Sequence, residues 1–297
     1  MVDIGGRRLH VQVSGTGPTV ILEAGLAATS MSWALAQPMI AQFARVASYD
    51  RAGYGWSDDA ALPATALNAV AELHALLERA GLPGPFIFVG HSYGGLIARI
   101  FQQHYPELVA GLVLADPVWR EEWRVLKVAR GKQLARGVML SRRGALLARI
   151  GVVGFALKML TGGSQRIPGW LARVSAGHAS GVTNRLVGEV RKIPRELWPL
   201  IAAHWSEARS FRTMADYLEN LPLSVNQLDE ALGLGDLPVS VLSAANASAE
   251  ALGEHEHDAR LSTRGEHLVI PGTGHWILLD APEAIAAAVH RLITMEV

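Results

Sequence analysis

The sequence predicts an α/β fold, in which a mostly parallel, twisted sheet carries helices on both faces. Short apolar runs of strand length alternate with stretches whose apolar residues recur at helical spacing, a pattern typical of such sheets. The alternation stops after Asp116 and resumes at "LPVSVLSA", residues 237–244. We therefore expect residues 1–116 and 235–297 to form one core, and residues 117–234 to form a helical cap inserted into it.

The individual elements follow from the same pattern. Two N-terminal stretches, "LHVQVS" (9–14) and "TVILEAG" (19–25), are predicted to pair as a hairpin, because glycines and a proline separate them. A helix is expected over residues 65–80, with Thr65 as its N-cap and Gly81 as its stop. The remaining predicted elements are the strands "RVASYD" (45–50), "PFIFVG" (85–90), "GLVLAD" (111–116) and "HLVIPG" (267–272), a helix at 93–105 and a last helix from Pro282.

Composition narrows the function. The 297 residues are 50% hydrophobic and 18% charged, which is typical of a globular protein with a sizeable core. Basic and acidic residues cancel, and no basic stripe carries interleaved aromatics, so nucleic acid is not an expected partner. The chain has no cysteine, which excludes disulfides, thiolate nucleophiles and cysteine metal sites.

The location is expected to be the cytoplasm. The N-terminal residues lack the ordered basic, apolar and cleavage regions of a signal peptide. The longest apolar stretch, "GALLARIGVVGFALKML" (144–160), is interrupted by Arg149 and Lys158, so stable membrane insertion is not expected.

Ser92 is the candidate nucleophile. It lies in "GHSYG" (90–94), which fits the G-x-S-x-G elbow and stands between a predicted strand and a predicted helix. Glycines at 90 and 94 allow strand and helix to approach closely, and a strained turn would present the hydroxyl at the helix N-terminus. A Gly-Ser turn without chemistry is the alternative, but the flanking strand and helix favour the nucleophile.

A serine needs a base, and His275 is the candidate. It lies in the glycine-bounded loop "PGTGHW" (271–276), after the last predicted strand and before the last helix. That loop should lie at the same end of the sheet as the elbow. His91 is too close in the chain to act on Ser92, and the histidines on predicted helices, such as His74 and His104, are interpreted as structural.

These residues carry a resemblance to a known family. The matching pieces are "ILEAG" (21–25), "YDRAGYGWSD" (49–58), "VGHSYGG" (89–95), "GLVLADP" (111–117) and "GTGHWILLDAPE" (272–283). In this order they resemble the α/β-hydrolase fold superfamily, in particular its cap-bearing serine esterase, lipase and haloperoxidase-like group. The middle of the chain matches only as a generic cap. The resemblance implies a Ser-His-acid triad, and no cofactor or metal is expected.

The position of the acid is less direct. Family members commonly carry it after the strand that here reads "PVSVLSA", where this chain has Asn246. The resemblance offers a second position at the end of the preceding strand, which is Asp116. A carboxylate buried there needs a partner, although Asp116 could instead cap the turn at Pro117. The remaining alternatives are three carboxylates further along the chain, Glu250, Glu254 and Asp258.

The resemblance also implies two backbone donors that form an oxyanion hole. One is the N–H of Tyr93, which follows the nucleophile, and the other is the N–H of Leu26. The loop before Leu26 normally carries a His-Gly pair, whereas this chain has Ala24 and Gly25. The missing histidine leaves the loop's local hydrogen bonding open, but not the backbone donor.

Two other polar stretches are assigned no chemistry. "GEHEHD" (253–258) is predicted to be a solvated charged segment, because His255 and His257 would face apart on a helix and no third metal ligand is evident. "YDRAGYGWSD" lacks a phosphate-loop pattern, and its Asp50 and Arg51 are expected to hold a turn near the pocket.

The predicted function is hydrolysis of a small-molecule carboxylic ester through an acyl-enzyme. Relatives that open epoxides or displace halide use an aspartate nucleophile, so Ser92 argues against both reactions. The alternatives are a ligand-binding protein that has lost turnover, and cofactor-free perhydrolysis or carbon–carbon hydrolysis. The sequence does not predict the acyl chain length or the oligomeric state.

Overall fold

A computed structural model describes residues 1–161, 192–229 and 231–295. Strands β1 to β9 span Val2–Asp3, Arg8–Leu9, Val11–Ser14, Thr19–Glu23, Arg45–Tyr49, Phe86–His91, Val109–Ala115, Val239–Ala244 and Gly265–Ile270. Helices α1 to α12 span Ala36–Ile40, Ala66–Arg79, Tyr93–His104, Glu121–Arg124, Val128–Arg149, Val152–Thr161, Trp198–Trp205, Ala208–Glu219, Leu221–Val225, Ala249–Arg260, Ile277–Asp280 and Pro282–Met295. In these parts of the chain, no helix is both long and apolar enough to cross a membrane.

The centre of the molecule is a seven-stranded sheet with the order β3-β5-β4-β6-β7-β8-β9. Every neighbouring pair in it is parallel except β3 and β5, which run antiparallel. Helices cover both faces, so the predicted fold class is confirmed. Strands β1 and β2 form a separate two-stranded sheet.

The predicted N-terminal hairpin is wrong. Strand β3 pairs with β5 instead, with Val11 opposite Tyr49, and β4 lies on the other side of β5. All five residues of β4 are buried, whereas β3 has two exposed residues. A strand buried on both faces is stabilised between two parallel neighbours, and a half-exposed strand suits the edge.

Alternation along the central strands divides the core into two layers. In β4, Ile21 points to the layer that contains α2 and α3, whereas Val20 and Leu22 point to the layer that contains α1 and α12. Strands β6 and β7 alternate in the same way. These strands are therefore buried on both sides, which is why their sequences read as continuous apolar runs.

Helix α2 forms as the sequence predicts. The Thr65 side chain accepts a hydrogen bond from the Asn68 N–H at 3.2 Å and so caps the first turn. Gly81, just past the helix, has a φ of +63°, a conformation that L side chains rarely adopt.

Between β7 and β8, the residues that the structure describes form helices and no strand. Helix α5 packs along α8, and α6 packs against α7. The predicted cap at 117–234 also contains residues 162–191, which lie outside the described residues. The division into core and cap therefore stays a prediction.

Two helical glycines test how closely the sheet and α3 approach each other. A Cβ on Gly94 in α3 would lie 2.2 Å from the carbonyl oxygen of Glu23, whereas a Cβ on Gly253 in α10 meets nothing within 4 Å. We expect Gly94→Ala to lower the free energy of unfolding by about 2 kcal/mol, because the backbone of β4 must move. Gly253→Ala should raise it by about 0.5–1 kcal/mol through helix propensity.

Urea unfolding of both variants and of the wild-type protein measures this difference. Equal effects of the two substitutions would contradict the close approach of α3 and β4.

Candidate active site

Four loops meet at one edge of the sheet. They follow the carboxyl ends of β4, β6, β7 and β9, and they carry Leu26, Ser92, Asp116 and His275. In open parallel sheets this edge is where ligands bind. The structure therefore brings together the loops that hold all of the predicted site residues.

Ser92 occupies a strained turn between β6 and α3. Its φ is 53° and its ψ is −118°, a conformation that costs energy for any residue with a side chain. A Cβ on Gly90 would lie 2.5 Å from the carbonyl oxygen of Gly94, so the turn requires glycine at that position. The Ser92 hydroxyl donates no hydrogen bond to any residue that the structure describes, and it is available to a ligand.

Backbone strain is concentrated around this site. Three non-glycine residues in the described chain have positive φ: Ala27 at 59°, Ser92 at 53° and Asp116 at 43°. Each lies in one of the loops at the carboxyl edge of the sheet. Strain of about 1–3 kcal/mol at each such residue persists only where the surrounding structure holds it, and it clusters at functional sites.

Asp116 and His275 are hydrogen-bonded to each other. The His275 Nδ1–H donates to Asp116 Oδ2 at 2.6 Å, and the Ala244 N–H donates to Asp116 Oδ1 at 2.9 Å. The His275 side chain is 49% exposed, whereas that of Asp116 is 11% exposed. With its Nδ1–H bound to a carboxylate, His275 keeps Nε2 as an acceptor.

The Asp116 carboxylate is kept ionised. Burial pushes its pKa upward, but the hydrogen bonds from His275 and Ala244 outweigh burial, so the pKa lies below its ordinary value. The carboxylate is therefore charged at neutral pH.

His91, which the sequence reasoning set aside as a base, holds the loop of His275. Its Nε2–H donates to the carbonyl oxygen of His275 at 2.8 Å, and the two rings lie 4.8 Å apart. Burial lowers the pKa of His91 to about 3, so the ring is neutral. The only sequence signal for this role is its position beside Ser92 in a buried strand.

The alternative carboxylates lie on α10, where Glu250 is exposed and hydrogen-bonded to Ser248. Glu254 accepts from the backbone N–H of Arg120 at 2.8 Å. Asp258 is fully buried and forms ion pairs with Arg99 and Arg120, each at 2.8 Å. Neither Glu254 nor Asp258 contacts His275.

The predicted solvated segment at 253–258 is wrong, because one face of α10 is buried. His255 is 1% exposed and bridges the Ser243 hydroxyl at 2.7 Å and the Pro117 carbonyl at 2.9 Å. No group of three potential metal ligands occurs within the described ranges.

Asn246 lies beside the loop of His275, in the exposed turn that follows β8. Its Nδ2 is 3.7 Å from the position of a Cβ on Gly274, the residue before His275. Asn246 is therefore near the base, but the His275 ring bonds to Asp116.

The predicted oxyanion donors are both unengaged in the part of the chain that the structure describes. Leu26 is the second residue of a β-turn that is closed by a hydrogen bond from the Ala28 N–H to the Gly25 carbonyl at 3.2 Å. The Leu26 N–H itself has no acceptor among the described residues. Tyr93 is the first residue of α3, so no carbonyl of the helix precedes its N–H. A Cβ on Gly25 would lie 2.9 Å from His91 Nδ1 and 3.4 Å from Ser92 Cβ, which shows how tightly this turn approaches the elbow.

Asp50 and Arg51 each hold a turn. Asp50 holds its own turn as predicted, because it accepts from the backbone N–H groups of Ser30 at 2.8 Å and Trp56 at 3.2 Å. Arg51 holds the turn that follows β4, where its side chain donates to two backbone carbonyls. Its ion-pair partner is Glu23, a residue with no role predicted from the sequence.

The fold and the family agree. A family model described as the alpha/beta hydrolase family matches residues 20–288, so the chain belongs to the alpha/beta hydrolase family.

Curated relatives match either part of this chain or nearly all of it. An AB hydrolase superfamily protein from Gibberella zeae is 40% identical over 103 residues, covering 33% of this chain and 32% of that protein. A protein of Bacillus subtilis is 34% identical over 116 residues, covering 38% of this chain and 46% of that protein. The matched stretch thus spans less than half of either relative. An uncharacterized protein from Mycobacterium bovis is 25% identical over 296 residues, covering 97% of this chain and 79% of that protein.

Solved structures share the fold across almost the whole chain. An esterase from Thermogutta terrifontis has a TM-score of 0.64 at 21% identity, covering 97% of this chain and 94% of that chain. A laboratory-evolved variant of a potato epoxide hydrolase has a TM-score of 0.73 at 21% identity, covering 99% of this chain and 98% of that chain. An ancestral haloalkane dehalogenase has a TM-score of 0.69 at 17% identity, covering 99% of this chain and 98% of that chain. The likeness extends to proteins of different activities, so it defines the fold and not the reaction.

The neutral state of His91 predicts a pH dependence of stability. The pKa of His91 is about 6.5 in the unfolded chain, whereas burial lowers it to about 3 in the folded protein. Unfolding between these pH values therefore takes up a proton, and the free energy of unfolding falls as the pH falls. His91→Gln removes this proton uptake, so the stability of wild type should fall more steeply, by about 1.4 kcal/mol per pH unit.

Urea unfolding of both proteins between pH 4 and pH 7 measures the two slopes. Parallel slopes would contradict a neutral, buried His91.

Proposed function

We propose that this protein hydrolyses carboxylic esters through an acyl-enzyme formed on Ser92. One observation carries the proposal: His275 Nδ1 lies 2.6 Å from the buried carboxylate of Asp116, and its ring lies 4.8 Å from that of His91, the residue before the strained Ser92. A serine, a histidine and a carboxylate in these relations form the machinery of acyl transfer.

The proposed roles are those of a serine, histidine and carboxylate triad with two backbone donors. Ser92 Oγ attacks the ester carbonyl while His275 Nε2 takes its proton and then passes it to the leaving alcohol. Asp116 fixes the tautomer of His275 and stabilises the imidazolium. The N–H groups of Leu26 and Tyr93 bind the oxyanion of the tetrahedral intermediate. Water then attacks the acyl-enzyme by the same route and releases the acid.

The chemistry of the nucleophile favours ester hydrolysis over the other activities of this fold. A carboxylate that opens an epoxide or displaces a halide forms an ester, which water cleaves to restore the enzyme. A serine that did so would form an ether, which water does not cleave. Ser92 therefore supports acyl transfer over the reactions named for the epoxide hydrolase and dehalogenase neighbours.

The first test removes the nucleophile. Ser92→Ala should lower hydrolysis of p-nitrophenyl esters, tested from acetate to palmitate, by at least about 10⁴-fold, because the hydroxyl forms the acyl-enzyme. Labelling by a fluorophosphonate should disappear with it. Ser206→Ala, which removes a hydroxyl that donates to the Ala203 carbonyl at its own helix end, is the matched control and should keep full activity.

An unlabelled and inactive wild-type protein would favour the ligand-binding alternative. Turnover within tenfold of wild type in Ser92→Ala, with an unchanged circular dichroism spectrum, would remove Ser92 from this role.

The second test identifies the acid. Asp116→Asn should lower kcat by about 10⁴-fold, because the amide favours the wrong tautomer of His275 and leaves the imidazolium uncompensated. Adding Asn246→Asp should restore part of the rate, since Asn246 lies beside the His275 loop. Glu250→Gln and Glu254→Gln serve as controls and should keep near-normal kcat.

Near-normal turnover in Asp116→Asn, together with loss of turnover in either glutamate variant, would move the acid to the later segment.

A further inference from the structure

The strongest unassigned feature is the buried cation behind the turn that carries Leu26. The Arg51 side chain is 3% exposed. Its Nη1 donates to the Ala24 carbonyl at 2.6 Å, and its Nη2 donates to the Gly25 carbonyl at 2.6 Å. One guanidinium thus holds the two consecutive carbonyls that precede the Leu26 N–H.

A buried guanidinium requires an opposite charge, and Glu23 provides it. Arg51 Nη1 lies 2.5 Å from Glu23 Oε1, and the Glu23 side chain is completely buried. The other carboxylate oxygen accepts a hydrogen bond from the Tyr49 hydroxyl. A pair this deeply buried contributes little net stability, because its attraction is offset by the desolvation of both charges. Its more direct effect is to fix the positions of the groups that it bonds.

Three aromatic rings also lie close to the guanidinium. Arg51 Cζ lies 5.2 Å from the ring centroid of Tyr217 and 5.8 Å from those of Tyr54 and Tyr93. Tyr93 is the residue whose N–H is the second proposed oxyanion donor. Arg51 therefore lies near both halves of the proposed oxyanion hole, since it donates to two carbonyls before Leu26 and lies 5.8 Å from the Tyr93 ring centroid.

The planar peptide bond links the position of the Gly25 carbonyl to the direction of the Leu26 N–H. The Gly25–Leu26 peptide is trans, so the Gly25 C=O and the Leu26 N–H lie in one plane and point in opposite directions. When Arg51 binds the Gly25 carbonyl, it also fixes the direction in which the Leu26 N–H points. Ala24 has no polar side chain that could do this within the loop, and the turn contains strained backbone at Ala27.

We infer that Arg51 is the positioning residue of the oxyanion hole, held in place by Glu23. This inference rests on the proposed ester hydrolysis. Arg51 does not touch the substrate; it orients the Leu26 N–H toward the oxyanion before the substrate binds. Its loss should therefore weaken binding of the transition state and leave binding of the ester ground state nearly unchanged.

The test compares Arg51→Met with Arg51→Lys and Tyr49→Phe. Methionine keeps the apolar length without a donor, whereas lysine keeps the charge and can donate to a carbonyl. Tyr49→Phe is the matched control, because Tyr49 is buried in the same cluster and bonds Glu23, yet it makes no hydrogen bond to the loop carbonyls. The measurements are kcat and KM for a p-nitrophenyl ester, the inhibition constant of a trifluoromethyl ketone, and urea unfolding.

In Arg51→Met we expect kcat to fall by about 10²- to 10³-fold, the effect of losing one oxyanion donor, with KM within about threefold of wild type. Affinity for the trifluoromethyl ketone should fall in parallel, because its adduct places an oxyanion in the same position. Arg51→Lys should recover part of both losses, and Tyr49→Phe should stay within about threefold of wild type in kcat. If Arg51→Met does not fold, an intermediate loss of kcat and ketone affinity in Arg51→Lys supports the inference.

A folded Arg51→Met that loses stability but keeps kcat and ketone affinity within threefold of wild type would overturn the inference and make Arg51 purely structural. If Arg51→Met does not fold, the same result in Arg51→Lys would overturn it. In that case Ser92→Ala should still abolish turnover, so the proposed function would stand. Undiminished turnover in Ser92→Ala, or no turnover in the wild-type protein, would overturn the proposed function and this inference together.

Discussion

The parallel pairing of β4, β6 and β7 is the constraint on which the site depends. Its register places Glu23 opposite Gly90 and His91 opposite Ala115, so the loops that follow these strands begin at the same level. A slip of one residue would move the elbow by about 3.3 Å relative to its neighbours and turn each side chain to the other face of the sheet. Since both faces are buried by helices, the two apolar layers oppose any such slip.

The same rigidity sustains the strained loops. The Ser92 N–H donates to the Ala115 carbonyl at 3.1 Å, and the Asp116 N–H donates to the Leu242 carbonyl at 2.7 Å. The positive-φ residues Ser92 and Asp116 are thus tied by their own backbones to the neighbouring strands. The cost of strain is offset by the packing of fully buried strands, so the loop geometry is set before any ligand arrives.

Much of this arrangement can be predicted from the sequence, and the failures share one cause. Ser92 and His275 are marked by local patterns. Ser92 lies between two glycines at a strand-to-helix turn, and His275 lies in a glycine-bounded loop before the last helix. The hairpin prediction failed because strand order depends on which strands are buried on both faces, a property of the whole sheet. The partners of His91 and Arg51 were not predicted because they are distant in the chain, and no local pattern marks such contacts.

The pairing of charges explains why Arg51 acts by orientation and not by direct attraction. Its charge is matched by Glu23 at 2.5 Å, so little of its field is left to act on an anion formed at Ser92. In the proposed reaction, the two charges that develop are the imidazolium of His275, which Asp116 stabilises, and the oxyanion, which only backbone N–H groups stabilise. Backbone dipoles are effective only when they already point at the anion, because a dipole that must turn during the reaction loses much of its stabilising energy. A buried guanidinium whose charge is already paired therefore acts by fixing the direction of the Leu26 N–H.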